Sequence, residues 1–278
     1  MKNKLILSFF LLCIGTCFIF SKDQDFRFLY SLSESKYHEI KYDALDQSYH
    51  IYVMLPDTFE KGKTYPTVYL LDGGITYPLL SSFYNYVRYG EELPPLIIVG
   101  ISYGTDDWQQ GNMRSRDFTA SSTEKSFWGG APEFQKFLTS KLIPFIETNY
   151  PSDSDQRIIF GQSLGGQFVL YTAQTKPNLF MGYIASNPAL HRNLDFFLET
   201  KPKQINTEKL PRLFVSSGSH DDVRFRQPAL EWFQFWNGQK SLPWTLKTTT
   251  LEGQTHFSAA PTAFHQGLRW IFSDESMK

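Results

Sequence analysis

The spacing of apolar positions along the chain indicates two kinds of β-strand. Residues 37–42 and 49–55 alternate apolar with polar side chains, which is typical of half-buried antiparallel strands. A last strand is predicted at residues 244–251. The intervening apolar runs are short and unbroken, as in strands that helices cover on both faces, and they lie at residues 67–71, 96–101, 157–160, 182–185 and 213–216.

Helical periodicity appears between these strands. Residues 132–147 place large apolar side chains three and four positions apart, and Pro144 is expected to bend or split this helix. Further helices are predicted at residues 164–175, 228–237 and 260–272. Strands that alternate with helices predict an α/β fold, with a mostly parallel central sheet, an antiparallel N-terminal hairpin and helices on both faces.

The first 21 residues have the pattern of a secretory signal peptide. Two lysines precede an apolar stretch at residues 5–20, and cleavage after Cys17 or after Ser21 would fit the small residues there. We therefore expect an exported protein, periplasmic or secreted, with residues 22–278 forming a single domain. No stable membrane insertion is expected after cleavage, whereas an uncleaved leader would anchor the chain to a membrane.

Charge and cysteine content exclude several classes of function. The chain carries 27 Lys and Arg against 28 Asp and Glu, and no segment forms a basic stripe, so we expect no nucleic-acid partner. Both cysteines, Cys13 and Cys17, lie in the leader, so the mature protein would have no disulfide, cysteine nucleophile or thiolate metal site. The aromatic share of 17% predicts a phenylalanine-rich core, or such a core together with an aromatic-lined cleft.

The segment Gly161-Gln162-Ser163-Leu164-Gly165 lies between a predicted strand and a predicted helix. In this position Gly-x-Ser-x-Gly is a nucleophile elbow, in which a strained turn lifts the serine hydroxyl off the end of the sheet. The glycines let the strand and the helix approach closely, and the helix N-terminus adds a positive dipole near a developing oxyanion. We therefore predict that Ser163 is the nucleophile of a serine hydrolase.

A serine hydroxyl needs a general base before it can attack. His256 is the candidate, because it lies after the last predicted strand and before the last helix, as the chain order Ser, acid, His requires. The acid is expected after an intervening strand, in a loop that contains His220, Asp221 and Asp222. We favour Asp221 and keep Asp222 as the alternative. No zinc-ligand spacing accompanies these residues, so no metal site is expected.

Ester hydrolysis also requires two backbone N–H donors for the oxyanion. One would belong to Leu164, directly after the nucleophile. The other is expected in the loop after residues 67–71, where Asp72, Gly73 and Gly74 would bring the backbone close to the substrate. Gly74 is the candidate donor.

These landmarks, taken in order, resemble the putative-esterase branch of the α/β hydrolases, which includes enterochelin-type siderophore esterases, S-formylglutathione hydrolases, feruloyl esterases and mycolyltransferases. The periplasmic siderophore-esterase-like members are the most similar. Besides the elbow and the His256 loop, the resemblance rests on Tyr69-Leu70-Leu71-Asp72-Gly73, Val99-Gly100-Ile101, Arg114-Ser115-Arg116-Asp117-Phe118-Thr119, Gly129-Gly130-Ala131, Leu142-Ile143-Pro144-Phe145-Ile146 and Ser186-Asn187-Pro188-Ala189-Leu190.

The resemblance implies an α/β-hydrolase fold and hydrolysis of a small-molecule ester by Ser163, Asp221 and His256, without a metal or other cofactor. Siderophore-type, aryl and sugar esters are the candidate substrates. Gln162 stands where relatives often carry histidine, a change that the elbow tolerates. Asn187-Pro188-Ala189 stands where relatives often carry Ser-Pro-Ser, and we expect this change to alter the wall of the cleft.

Trp108, Arg116 and Trp128 are candidate substrate-binding residues. Packing is the favoured role of the two tryptophans and Phe127, and the alternative is an aromatic pocket for a catechol or cinnamoyl group. Arg116 lies close to Arg114 and Asp117 in the sequence, where a structural ion pair is the favoured role and binding of an anionic substrate is the alternative.

Two other functions remain open at this stage. One is an acyltransferase that uses the same triad to pass the acyl group to a sugar or lipid. The other is an exported binding protein that has kept the fold and lost catalysis, although an intact set of Ser, Asp and His argues against it.

Overall fold

An eight-stranded sheet forms the centre of the protein, in a computed structural model that describes residue 32 and residues 35–90, 93–122, 125 and 127–273. The predicted signal segment, residues 1–21, lies outside the described residues. The strand order is β1-β2-β4-β3-β5-β6-β7-β8. The strands are β1 (Lys36–Tyr42), β2 (Gln47–Met54), β3 (Tyr65–Leu70), β4 (Ile97–Ser102), β5 (Ser152–Gln162), β6 (Gly182–Ser186), β7 (Arg212–Gly218) and β8 (Thr245–Leu251).

Eight α-helices are found within the described ranges. They are α1 (Gly73–Val87), α2 (Arg114–Asp117), α3 (Ala131–Phe137), α4 (Ile143–Asn149), α5 (Leu164–Thr175), α6 (Leu194–Glu199), α7 (Val223–Asn237) and α8 (Ala259–Ile271). None of the described helices is long and apolar enough to cross a lipid bilayer.

Strand pairing confirms the predicted architecture. β1 pairs antiparallel with β2, and β2 pairs antiparallel with β4, whereas the pairs from β4 through β8 are all parallel. The carboxyl ends of the parallel strands therefore share one edge of the sheet, where open α/β sheets place their ligands. Ser163, Asn187 and Asp221 all follow strands at this edge.

Alternate side chains of the parallel strands enter two separate hydrophobic clusters, which explains why these strands are apolar throughout. In β5, Ile158 and Phe160 belong to the cluster beneath α1 and α8, whereas Ile159 faces the cluster beneath α3 to α7. The second cluster holds many fully buried aromatic rings, including Phe118, Phe134, Phe137 and Phe168. These phenylalanines therefore build a core, which both expectations from the sequence include.

The helix predicted at residues 132–147 is interrupted. It consists of α3, a π-helical segment at Leu138–Leu142 and α4. Pro144 lies in the first turn of α4. N–H groups in the first turn of a helix have no partner within that helix, so proline, which has no N–H, costs no hydrogen bond of α4 at this position. The wider π turn thus lets the chain restart a helix at the proline without a clash.

Four helical regions differ from the sequence prediction. α1 begins within what was expected to be a loop and continues to Val87, because two glycines and Pro78 hide its helical pattern. α2 and α6 were not predicted. α7 begins at Val223 rather than at residue 228, since Asp222 Oδ1 accepts a hydrogen bond from Arg224 N at 2.8 Å and caps the helix.

Gly73 places the start of α1 directly against the backbone of β4. A Cβ atom at this position would lie 2.5 Å from Ile101 N and 2.7 Å from Gly100 C. Neither atom can move without displacing the strand, so only glycine allows this approach.

We therefore expect Gly73→Ala to lower the free energy of unfolding by about 1–3 kcal/mol, the usual cost of overpacking. This loss is expected even though alanine has a higher intrinsic helix propensity than glycine. Urea denaturation measures this change. Gly238→Ala is the matched control, because the nearest atom to a Cβ there is 3.5 Å away, and its effect should stay within about 0.5 kcal/mol. Equal stability of the two variants would contradict this account of the α1 start.

Candidate active site

The turn between β5 and α5 has the geometry expected of a nucleophile elbow. Ser163 has φ 59° and ψ −117°, a backbone conformation that non-glycine residues rarely adopt. A Cβ atom at Gly161 would overlap the carbonyl group of Gly165, so the strand and the first turn of the helix are in direct backbone contact. This contact explains why the motif requires glycine at its first position.

Backbone hydrogen bonds hold Ser163 in this conformation. Its N–H donates to Ser186 O at 3.0 Å, and its carbonyl accepts from Gln167 N and Ala189 N, each at 3.0 Å. The side chain is half-buried. Within the described part of the chain, Ser163 Oγ has no hydrogen-bond partner, and so the hydroxyl is available to an incoming group.

His256 and Asp221 are brought together at the same edge of the sheet. His256 Nδ1 donates a hydrogen bond to Asp221 Oδ2 at 2.9 Å, and both residues are buried. Because a carboxylate only accepts, Nδ1 carries the proton and Nε2 remains an acceptor in the neutral ring. Asp222, the alternative acid, is exposed and caps α7 instead.

The loop that carries His256 is further fixed by neighbouring amides. Gln162, within the elbow, donates from Nε2 to the carbonyl oxygen of His256. Asn187 donates from Nδ2 to Asp221 Oδ2 at 2.8 Å and to Thr255 O at 3.3 Å. Asn187 is buried beneath the site, so its side chain does not form the cleft wall that we expected it to alter.

Two phenylalanines flank the imidazole of His256. Phe225, on α7, stacks on the ring with centroids 4.1 Å apart and an interplanar angle of 27°. Phe257 meets the ring edge-on at 5.4 Å and leaves 86% of its surface exposed. Neither residue was predicted from the sequence, although the position of Phe257 next to the candidate base is a usable signal.

A cavity of about 640 Å³ lies beside this group, with polar side chains along most of its wall: Ser121, Ser122, His191, Arg192, Asn193, Leu194 and Asp195. The His191 ring packs edge-on against Phe225 at 4.8 Å, so the cavity adjoins the ring that stacks on His256. Arg192 lies over the ring of Trp128 at 4.9 Å. Burial, together with nearby Arg192, Arg224 and His256, lowers the pKa of His191 to about 4.

The two candidate oxyanion donors begin neighbouring helices. Leu164 is the first residue of α5, and Gly74 is an exposed residue in the first turn of α1. N–H groups in the first turn of a helix lack partners within the helix and point toward its N-terminal end. A Cβ at Gly165 would lie 3.4 Å from Asp72 Oδ2, so the starts of α5 and α1 adjoin.

Both arginines of the 114–117 segment take part in ion pairs. Arg114 binds Asp72 through two hydrogen bonds of 2.6 and 2.8 Å. Arg116 Nε donates to Asp117 Oδ1 at 2.6 Å, and Asp117 is fully buried. The guanidinium of Arg116 thus forms an ion pair with a carboxylate inside the protein.

The tryptophan candidates lie in different environments. Trp108 follows β4 in a short 3₁₀ turn, and 69% of its surface is exposed. Trp128 is half-buried and its ring faces the guanidinium of Arg192. Trp128 therefore adjoins the cavity wall.

In the described ranges, no group of three or more His, Cys, Asp and Glu side chains is arranged to hold a metal ion.

Comparison with protein families gives one match over most of the chain. The model described as "Putative esterase" matches residues 43–273. Ferri-bacillibactin esterase BesA of Bacillus subtilis is 29% identical over 249 residues, which cover 81% of this chain and 85% of that protein. Apo-salmochelin esterase of Escherichia coli is 26% identical over 197 residues, which cover 65% of this chain and 61% of that protein.

Solved structures give the same picture of the fold. The BES protein from Bacillus cereus superposes with a TM-score of 0.78 and 27% identity, covering 87% of this chain and 96% of its own. An IroE-like serine hydrolase from Shewanella oneidensis superposes with a TM-score of 0.74 and 21% identity, covering 86% of this chain and 80% of its own. These similarities confirm the α/β-hydrolase fold.

The lowered pKa of His191 predicts an acid-sensitive contribution to stability. Between pH 6.5 and about 4, the unfolded chain binds a proton at His191 that the folded chain does not bind, so stability falls as the pH falls through this range. We expect the urea midpoint of His191→Gln to decline less steeply over this range than that of the parent protein.

His220→Gln, at an exposed loop position, is the control for the loss of one histidine. A difference between parent and His191→Gln that stays constant from pH 7 to pH 4 would refute the predicted dependence.

Proposed function

The chain belongs to the "Putative esterase" family of the α/β-hydrolase class and is an esterase, and we propose that it hydrolyses siderophore-type carboxylic esters through Ser163, Asp221 and His256. The observation that carries this proposal is the hydrogen bond from His256 Nδ1 to Asp221 Oδ2 at the sheet edge that also carries the strained Ser163 turn. Nucleophilic catalysis by serine needs a base with a fixed tautomer and a serine hydroxyl that is open to the substrate.

In the first step, His256 Nε2 takes the proton of Ser163 Oγ as the oxygen attacks the ester carbonyl. The ring then carries a positive charge, which the Asp221 carboxylate stabilises through Nδ1. Collapse of the tetrahedral intermediate breaks the bond to the alcohol oxygen, and His256 returns its proton to that oxygen. An acyl group remains on Ser163.

In the second step, His256 takes a proton from water as the water oxygen attacks the acyl-enzyme. Collapse breaks the ester bond to Ser163, His256 protonates Oγ, and the acid leaves. In both steps the N–H groups of Leu164 and Gly74 hold the oxyanion. Their places at the starts of α5 and α1 support this role, because the helix dipole adds positive potential there.

The substrate class rests on the relatives and on the charge beside the site. BesA and the E. coli relative are named as esterases of ferri-bacillibactin and of apo-salmochelin. In this chain, Arg192 lies in the cavity wall and, with burial as the larger cause, it and nearby Arg224 oppose protonation of His191, so the potential at that ring is positive. An acyl group with negative charge or a catechol ring would be attracted there, with Trp128 as an aromatic contact.

Export is part of the proposal. The pattern of residues 1–21 supports it, and cleavage there would release residues 22–278 as the active protein.

Ser163→Ala should lower kcat/KM for a catecholate siderophore ester by about 10³- to 10⁶-fold and leave the urea midpoint unchanged, because it removes only the nucleophile. Hydrolysis followed by chromatography of the released acid measures this. Ser140→Ala, at an exposed serine in the π-helical segment, is the matched control and should keep full activity. A folded Ser163→Ala protein that retains most of the hydrolysis would end the assignment.

Transfer of the acyl group to an added alcohol in preference to water would favour an acyltransferase.

A further inference from the structure

We propose that Asn187 is a positioning residue that holds the Asp221 carboxylate and the His256 loop in the arrangement needed for proton transfer. The inference rests on the proposed function of Ser163, Asp221 and His256. It adds a fourth side chain, directly after β6, to a group whose acid follows β7 and whose base follows β8.

The backbone fixes where the Asn187 side chain points. Asn187 has φ 42°, in the left-handed region that asparagine tolerates better than most residues. Its N–H donates to Ser216 O at 2.8 Å, which ties the end of β6 to β7. The side chain is therefore directed toward the segment that carries Asp221, and it is 1% exposed.

Both the oxygen and the nitrogen of the Asn187 carboxamide form hydrogen bonds. Its oxygen accepts a hydrogen bond from Gly218 N at 3.1 Å, so its nitrogen is the end that faces Asp221. That nitrogen donates to Asp221 Oδ2 at 2.8 Å and to the carbonyl of Thr255, the residue before His256, at 3.3 Å. One amide thus connects the ends of two strands with the loop of the base.

The orientation of Asp221 depends on these contacts. Oδ2 accepts from both Asn187 and His256, while Oδ1 is buried and has no hydrogen-bond partner among the described residues. Without the amide, the carboxylate would be free to rotate about its bond to Cβ, and Oδ2 would no longer be fixed opposite Nδ1. In part of the population, the proton of the His256 ring would then no longer be held on Nδ1, and the ring would no longer be held in one orientation.

Two substitutions separate positioning from packing. Asn187→Gly keeps the left-handed backbone available and removes the amide. Asn187→Asp keeps the volume and the acceptor for Gly218 N, but it places an oxygen where the donor stood, against the oxygens of Asp221. If Asn187 only fills space, Asn187→Gly should leave kcat of the folded protein close to that of the parent; if it positions Asp221, both substitutions should impair turnover.

We expect Asn187→Gly and Asn187→Asp each to lower kcat by about 10- to 100-fold, the size of effect that a hydrogen bond to a charged group produces, with KM changed by less than about threefold. Steady-state hydrolysis measures both constants, and urea denaturation shows whether each protein is folded under the assay conditions. The split between kcat and KM is informative because Asn187 is too buried to contact the substrate.

Gln174→Ala is the matched control. Gln174 is also a buried amide that bridges two backbone carbonyls, those of Phe197 and Thr200, but these lie in and directly after α6 rather than at the site. It should lower the urea midpoint and leave kcat of the folded protein unchanged.

The proposal is overturned if Asn187→Gly keeps kcat within about twofold of the parent, if Asn187→Asp alone does so, or if kcat falls only in proportion to the unfolded fraction, as it would for Gln174→Ala. Failure of the proposed function gives a different result, because Ser163→Ala would then hydrolyse the same ester as fast as the parent in the same assay.

Discussion

The backbone contact between Gly161 and Gly165 is the constraint on which the rest of the site depends. It brings the end of β5 against the first turn of α5, and the chain meets this requirement by holding Ser163 in a strained conformation. Three backbone hydrogen bonds from neighbouring segments stabilise that conformation. The turn gives the serine hydroxyl a fixed position at the edge of the sheet and places Leu164, whose N–H is the candidate oxyanion donor, directly after it at the start of α5.

Parallel pairing explains how residues distant in sequence reach this turn. Because β5, β6, β7 and β8 run in the same direction and in this order, the segments after them lie side by side. Ser163, Asn187, Asp221 and His256 each follow one of these strands. Hydrogen bonds between them then run across the sheet edge, from Asn187 to Asp221 and from His256 to Asp221. α7 completes the group by packing Phe225 on the imidazole.

The sequence predicts those parts of the site that local pattern or chain order determines. The elbow is a five-residue pattern, and the fold follows from alternating strands and helices, which the structure confirms. α1 was not predicted, since Gly73, Gly74 and Pro78 obscure its periodicity. The choice between Asp221 and Asp222 depends on which way a loop turns: in the structure Asp222 caps α7, and Asp221 contacts His256. The roles of Asn187 and Phe225 depend on contacts between distant segments, which leave no pattern in a single sequence.

Reaction of residues 22–278, the chain without the predicted signal segment, with a fluorophosphonate tests the central claim most directly, because this reagent needs an activated serine and no particular acyl group. Intact mass should show a single adduct, peptide mapping should locate it at Ser163, and Ser163→Ala should remain unmodified. No adduct on a folded parent protein, or an equal adduct on folded Ser163→Ala, would contradict the account, since the first result means an inactive hydroxyl and the second a different nucleophile.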